Sequence, residues 1–120
     1  MYIFSFEKLN VWKDSKEFVK EIYRVTTKFP DSEKFGMTSQ LRRASISVPS
    51  NIAEGSSRKT SKDQAHFTTL AYSSLMEVLN QIIISHELNY IGLEDYQSIH
   101  PQIEMISNKL NALRNAQLNK

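Results

Sequence analysis

Residues 40–55 read Gln-Leu-Arg-Arg-Ala-Ser-Ile-Ser-Val-Pro-Ser-Asn-Ile-Ala-Glu-Gly, and this stretch decides how the rest of the chain is interpreted. At about 100° per residue, its apolar positions and the methionine just before it share one helical face: Met37, Leu41, Ala44, Val48 and Ile52. That spacing is typical of a helix packed on a hydrophobic core. Because the spacing continues through Pro49, we predict one kinked helix that ends at Gly55 in a left-handed cap.

Two helices of the chain carry apolar faces that a single core does not explain. On the helix quoted above, a third face holds Arg42, Ile46, Pro49 and Ala53. The third predicted helix has a second stripe, formed by Tyr72, Met76, Leu79 and Ile83. Apolar patches of that extent are unusual on the surface of a monomer. We therefore predict a closed cyclic homo-oligomer whose interface residues are Ile46, Pro49, Ala53, Tyr72, Met76, Leu79 and Ile83.

Composition narrows the class of protein. A chain of 120 residues with 40% hydrophobic content is expected to form one domain with one core, covering residues 1–120. No apolar run is long enough to span a membrane, and no basic segment followed by an apolar one indicates secretion. The chain has no cysteine, so disulfides and thiolate metal sites are excluded. Together these features predict a cytoplasmic protein.

Hydrophobic periodicity predicts four helices at about residues 9–28, 37–54, 61–88 and 94–114. The apolar positions of the first helix are Leu9, Trp12, Val19, Ile22, Tyr23, Thr26 and Phe29, with Val11, Phe18 and Val25 broadening the stripe. Thr60 or Ser61 caps the third helix. With short connections, this order predicts an all-α, antiparallel up-down-up-down four-helix bundle.

The fourth helix has the most regular pattern in the chain. Its apolar positions form a heptad seam: Tyr96, Ile99, Ile103, Ile106, Leu110 and Leu113. Pro101 is expected to bend the helix near Gln97, or to mark a start after Ser98. The polar tail after Leu113 is expected to fray.

The residues described so far resemble a known family of bacterial four-helix bundle proteins, named for genes found in 23S rRNA intervening sequences. The resemblance is carried by Glu33, Gly36, Gln40–Ala44, Ser47–Gly55, Arg58, Phe67, Ala71, Ser74 and Glu77, and by Leu9, Val11–Trp12 and Phe29–Pro30 in the first helix. It implies a bundle that assembles into a five-subunit ring, a homopentamer. A related branch comprises accessory proteins of diversity-generating retroelements, which bind a reverse transcriptase and nucleic acid.

Basic residues are concentrated between Gly36 and Lys62, where Glu54 is the single acid. The basic residues of this segment are Arg42, Arg43, Arg58, Lys59 and Lys62. One interpretation is that all five contact nucleic-acid phosphates. The other is that Arg43 pairs with Glu54 or Glu77, while Arg58 and Lys59 are solvated loop charges. The sequence leaves both interpretations open.

Motifs for catalysis or for cofactor and metal binding are absent from the pattern. Asp63 and His66 form one Asp-x-x-His pair, whereas a di-metal bundle needs two such pairs and two further carboxylates. No Ser/His/Asp set or Gly-rich phosphate loop can be assembled, so no enzyme activity, cofactor or metal is expected.

Two functions remain. The first is a homo-oligomeric accessory protein with weak, non-sequence-specific binding of RNA or DNA. The alternative is a ring-shaped scaffold that binds a protein partner, such as a reverse transcriptase, and contacts no nucleic acid. Neither hypothesis involves a membrane. Salt-dependent binding to RNA or DNA distinguishes the two.

Overall fold

The structure, a computed structural model, describes residues 1–120 and is built from four long helices with no strand. These are α1 (Asn10–Thr26), α2 (Met37–Ser56), α3 (Ser61–Glu87) and α4 (Leu93–Leu118). Short 3-10 turns at Ser5–Lys8 and Asp31–Glu33 precede α1 and α2. The predicted all-α class is confirmed, and the helices pack side by side as in a four-helix bundle. None of them is both long and apolar enough to cross a bilayer.

Helix α2 continues without a break through Pro49, as its unbroken apolar spacing predicted. The predicted role of Gly55 is wrong, however, because no glycine in the chain has a positive φ and the helix runs on to Ser56. Gly55 is buried, and a Cβ atom there would lie 2.9 Å from the Cβ of Phe67. It would also lie 3.3 Å from the backbone oxygen of Gln64. Glycine at this position therefore lets α2 and α3 approach each other closely.

All four helices contribute to one hydrophobic core. In α4 the heptad prediction is confirmed, since Ile99, Ile103, Ile106 and Leu110 are buried. In α1 the core face is rotated from the predicted stripe and consists of Val11, Phe18, Ile22 and Val25. Trp12 and Val19, which the sequence placed in the main stripe, are only half-buried. The fully buried Leu75 of α3 was not part of either predicted stripe.

Contacts between neighbouring helices run in opposite chain order. Asp14 near the start of α1 pairs with Lys109 of α4, whereas Arg24 near the end of α1 pairs with Asp95 at the start of α4. The start of α1, the end of α2, the start of α3 and the end of α4 therefore meet at one end of the bundle, here called the terminal end. The α1–α2 and α3–α4 connections lie at the other, the loop end.

The terminal end is better ordered than the sequence suggested. Helix α4 extends to Leu118, and its Gln117 is buried and accepts a 2.7 Å hydrogen bond from the Thr68 hydroxyl. The predicted fraying after Leu113 is therefore wrong, because α3 supplies polar partners for the last turns. The alternative start of α4 after Ser98 is also wrong, since the helix begins at Leu93. At the start of α3, Thr60 is the cap, and its hydroxyl accepts a bond from the Asp63 backbone.

Candidate nucleic-acid and oligomer interfaces

Arg42 joins α2 to α1. Its Nε atom donates a 2.9 Å hydrogen bond to the Thr26 hydroxyl, and a second nitrogen lies 3.4 Å from the Tyr23 backbone oxygen. The guanidinium carbon is 4.5 Å from the centre of the Tyr23 ring, a cation–π contact. Since these contacts hold the side chain against α1, Arg42 is committed to the packing of the bundle.

Arg43 lies on the opposite side of α2, towards α3. Its guanidinium forms an ion pair with Glu77 and donates a 3.0 Å hydrogen bond to the side-chain oxygen of Gln40. Close by, the hydroxyls of Ser47 and Ser74 are 2.8 Å apart. Of the two acids that the sequence offered as partners, the structure places Glu77 against Arg43. This arginine therefore bridges two helices, although part of its side chain stays exposed.

Arg58, Lys59 and Lys62 lie together at the α2–α3 connection. The Arg58 guanidinium is 5.1 Å from the centre of the Phe67 ring and 4.0 Å from a carboxylate oxygen of Asp63. Lys59 and Lys62 are exposed and have no hydrogen-bond or ion-pair partner. Arg42 is about 24 Å away along the chain direction of α2, at 1.5 Å per helical residue. The structure therefore separates the five predicted residues into two groups.

Charge is distributed unequally between the two ends of the bundle. The terminal half, residues 1–17, 48–73 and 106–120, holds nine basic and five acidic residues. The loop half holds six basic and eight acidic residues. The basic residues of the terminal half are Lys8, Lys13, Lys16, Arg58, Lys59, Lys62, Lys109, Arg114 and Lys120. Sequence analysis missed this asymmetry, because it depends on which helix ends meet.

The loop end carries acids that are held by specific partners. The Glu33 carboxylate accepts hydrogen bonds from the Met37 backbone at 3.0 Å and from the Tyr90 hydroxyl at 2.8 Å. These bonds lower the pKa of Glu33 and raise that of Tyr90. Hydrogen bonds from Arg24, and then from Lys28, lower the pKa of Asp95. The acids of this end therefore stabilise helix connections, whereas Lys59 and Lys62 at the terminal end remain unpaired.

An apolar groove lies between α1 and α2. Its floor is formed by Trp12, Val19, Ile46, Pro49 and Ala53, and its volume is about 380 Å³. Lys16 and Lys20 form its rim. Three of the predicted interface residues thus line one concave surface, and Ile46 is 42% exposed there. We call this surface the α1/α2 groove.

The predicted second stripe of α3 is in a different environment. Tyr72, Met76 and Leu79 are half-buried and pack against the core of their own chain. Tyr72 also lines a shallow pocket with Leu110 of α4. Ile83 is half-buried as well. Packing within the bundle accounts for the apolar character of this stripe, so the structure does not bring it together with the α1/α2 groove.

The candidate metal pair was also located in the structure. Asp63 is close to Arg58, and the His66 ring packs edge-on against Phe67 at 5.6 Å. No group of three His, Asp or Glu side chains lies close enough together to hold a metal ion.

Comparisons with known proteins agree with the fold and place the chain in a family. The crystal structure of a protein with unknown function from the S23 ribosomal protein family of Bacteroides thetaiotaomicron VPI-5482 superposes with a TM-score of 0.78. The two sequences are 23% identical, and the match covers 87% of this chain and 97% of the other. A search of curated proteins gave no match. The family profile of the 23S rRNA-intervening sequence proteins matches residues 7–112, and the chain therefore belongs to that family.

Proposed function

We propose that this chain is a non-catalytic accessory protein that binds RNA or DNA weakly and without sequence specificity. Its antiparallel up-down-up-down bundle serves as the subunit of a homo-oligomer, a five-subunit ring by the family resemblance. The observation that supports nucleic-acid binding is the basic terminal end with its exposed, unpaired Lys59 and Lys62. Arg58 adds a third positive charge beside them, whereas Arg42 and Arg43 hold α2 against its neighbours.

The chemistry of this surface favours phosphate contacts over reading of bases. Lysine ammonium groups attract phosphate as point charges, and the resulting affinity falls steeply as salt rises. No helix in the bundle combines a basic face with polar side chains placed to read base edges in the major groove. In a ring the basic end is repeated in every subunit, so several weak contacts act together on one strand.

The test compares two double variants that remove equal charge from opposite ends. Lys59→Ala/Lys62→Ala should reduce the slope of log affinity against log salt by about one for each lysine removed. Lys28→Ala/Lys34→Ala, at the loop end, should leave that slope unchanged. Both can be measured by gel shift or anisotropy with single-stranded RNA and DNA over a salt series, with helix content checked by circular dichroism.

The scaffold function is the second candidate, and the α1/α2 groove is the observation that favours it. A groove with an apolar floor suits a protein segment better than a polyanion. If the wild-type protein shifts neither RNA nor DNA at low salt, the nucleic-acid proposal is overturned. A protein partner, a reverse transcriptase included, would then be sought with the assembled protein.

A further inference from the structure

A short apolar arm precedes the bundle and has no partner within the chain. It consists of residues 1–4, in which Tyr2, Ile3 and Phe4 are 75%, 46% and 59% exposed. Burying a side chain of this size contributes roughly 1.5–3 kcal/mol, so leaving three of them in water is unfavourable. The arm lies before residues 7–112, and the family match therefore does not account for it.

The root of the arm is fixed beside the α1/α2 groove. The Phe4 backbone N–H donates a 2.8 Å bond to the Glu7 carboxylate, and the Glu7 N–H donates a 3.0 Å bond to the Phe4 oxygen. These reciprocal bonds close a turn and set the direction in which the arm leaves. The next residue in the turn, Phe6, packs edge-on against Trp12 at 5.1 Å, and Trp12 lines the groove. No arm residue lines the groove of its own chain.

The groove and the arm are complementary in chemistry. The arm has no charged side chain and contributes two aromatic rings and a branched aliphatic chain. The groove offers an apolar floor and two rim lysines, and the Lys16 ammonium already lies 5.0 Å from the centre of the Trp12 ring. Lysines in that position can also lie over the rings of an incoming Tyr or Phe.

We propose that the arm of one copy docks into the α1/α2 groove of a second copy of this chain. The proposal rests on the homo-oligomer proposed above and names the surfaces that join its subunits. Docking in the same chain requires opening the turn between Phe4 and Glu7, whereas docking in a second copy leaves that turn intact. Because the arm and the groove are different surfaces, the contact is head-to-tail and closes into a ring when the rotation permits.

The area is sufficient for a stable contact. Buried aromatic side chains contribute about 150–250 Å² each, so the three arm residues bury roughly 500 Å². With a similar area on the groove side, the total reaches the roughly 1,000 Å² that a specific interface needs.

Engineered cysteines test the docking directly, because the natural chain has none. Coexpression of a tagged Ile3→Cys chain with an untagged Ile46→Cys chain should give a disulfide between the two chains on mild oxidation. A coexpressed Phe35→Cys chain is the control, because Phe35 is 90% exposed and lies at the loop end. Equal crosslinking to the control, or an intrachain disulfide alone in the double variant Ile3→Cys/Ile46→Cys, would overturn the proposal.

Molar mass separates this proposal from the oligomer on which it rests. The variant Tyr2→Ser/Ile3→Ser/Phe4→Ser should dissociate at a concentration at least 100-fold higher than the wild type, measured by light scattering or sedimentation. Phe35→Ser, which removes an equally exposed aromatic ring elsewhere, should leave the mass unchanged. An oligomeric wild type whose triple variant keeps its mass overturns the arm and leaves the oligomer standing. A monomeric wild type at micromolar concentration overturns the homo-oligomer itself.

Discussion

The α2–α3 pair and the α1–α4 pair are held together by different means. Between α2 and α3 the contact is close, with Gly55 lying against Phe67 and the hydroxyls of Ser47 and Ser74 in hydrogen-bond contact. Between α1 and α4, long charged side chains reach across the surface. Lys109 pairs with Asp14 at one end, and Arg24 and Lys28 both bond to Asp95 at the other.

The difference means that each pair is sensitive to a different perturbation. A close backbone approach leaves no room for one extra methyl group, and neither salt nor pH alters that constraint. Exposed ion pairs tolerate changes of shape but weaken when charge is screened or a carboxylate is protonated. Shape therefore decides the α2–α3 contact, and charge contributes to the α1–α4 contact.

The largest effect is expected from Gly55→Ala. An added Cβ would lie 2.9 Å from the Cβ of Phe67, so the helices must separate at a cost of about 1–3 kcal/mol in unfolding free energy. Helix propensity alone predicts the opposite sign, a gain of about 1 kcal/mol. Gly92→Ala is the control, because nothing lies within 4 Å of its added Cβ, and it should change stability by at most about 1 kcal/mol. Urea denaturation measures both, and a stabilised Gly55→Ala protein would contradict the close approach.

Acid is expected to act on the α1–α4 pair through Asp95. Since Arg24 and Lys28 lower the pKa of Asp95, its contribution is fully present above its ordinary pKa of about 4. The contribution is lost as pH falls through the lowered pKa of the folded protein. Asp95→Asn should therefore be less stable than wild type at pH 7 and should lose less stability on acidification. Glu104→Gln, which removes an exposed carboxylate outside any ion pair, is the control.

The smallest effect is expected from salt acting on the pair between Asp14 and Lys109. Both side chains are partly exposed, at 29% and 41%, so the pair contributes about 0.2–1 kcal/mol. Lys109→Met should be less stable than wild type by that amount at low ionic strength. The difference should vanish near 1 M salt, where the Debye length is about 3 Å. A Gly55→Ala deficit that persists unchanged at high salt would sharpen the contrast between the two helix pairs.

The accuracy of the sequence prediction depended on how many apolar stripes a helix carries. Helix α4 has one, at heptad spacing, and its buried residues were predicted correctly. Helix α1 has two adjacent stripes, and periodicity could not tell that Val11 and Phe18 face the core while Trp12 and Val19 line the groove. On α3 the same ambiguity made the stripe that begins at Tyr72 look like an interface, although it packs against its own core.

The candidate site was predicted in composition more than in arrangement. The sequence identified the basic residues, but it could not show that Arg42 and Arg43 are used to join helices while Lys59 and Lys62 remain free. Partners for the two arginines come from α1 and α3, at positions that no local pattern relates to α2. The exposed arm at residues 1–4 was read only as an extended or loose segment, because its meaning depends on the groove beside it.

By itself the sequence determined the all-helical class, the approximate helix positions and the continuity of α2 through Pro49. These follow from hydrophobic spacing and capping, which act over a few neighbouring residues. Only the tertiary structure decided that Gly55 serves a close approach, that α4 stays ordered to Leu118 and that one end of the bundle is basic. Each of these depends on which residues distant in the chain meet across a helix pair, and that information is carried by packing.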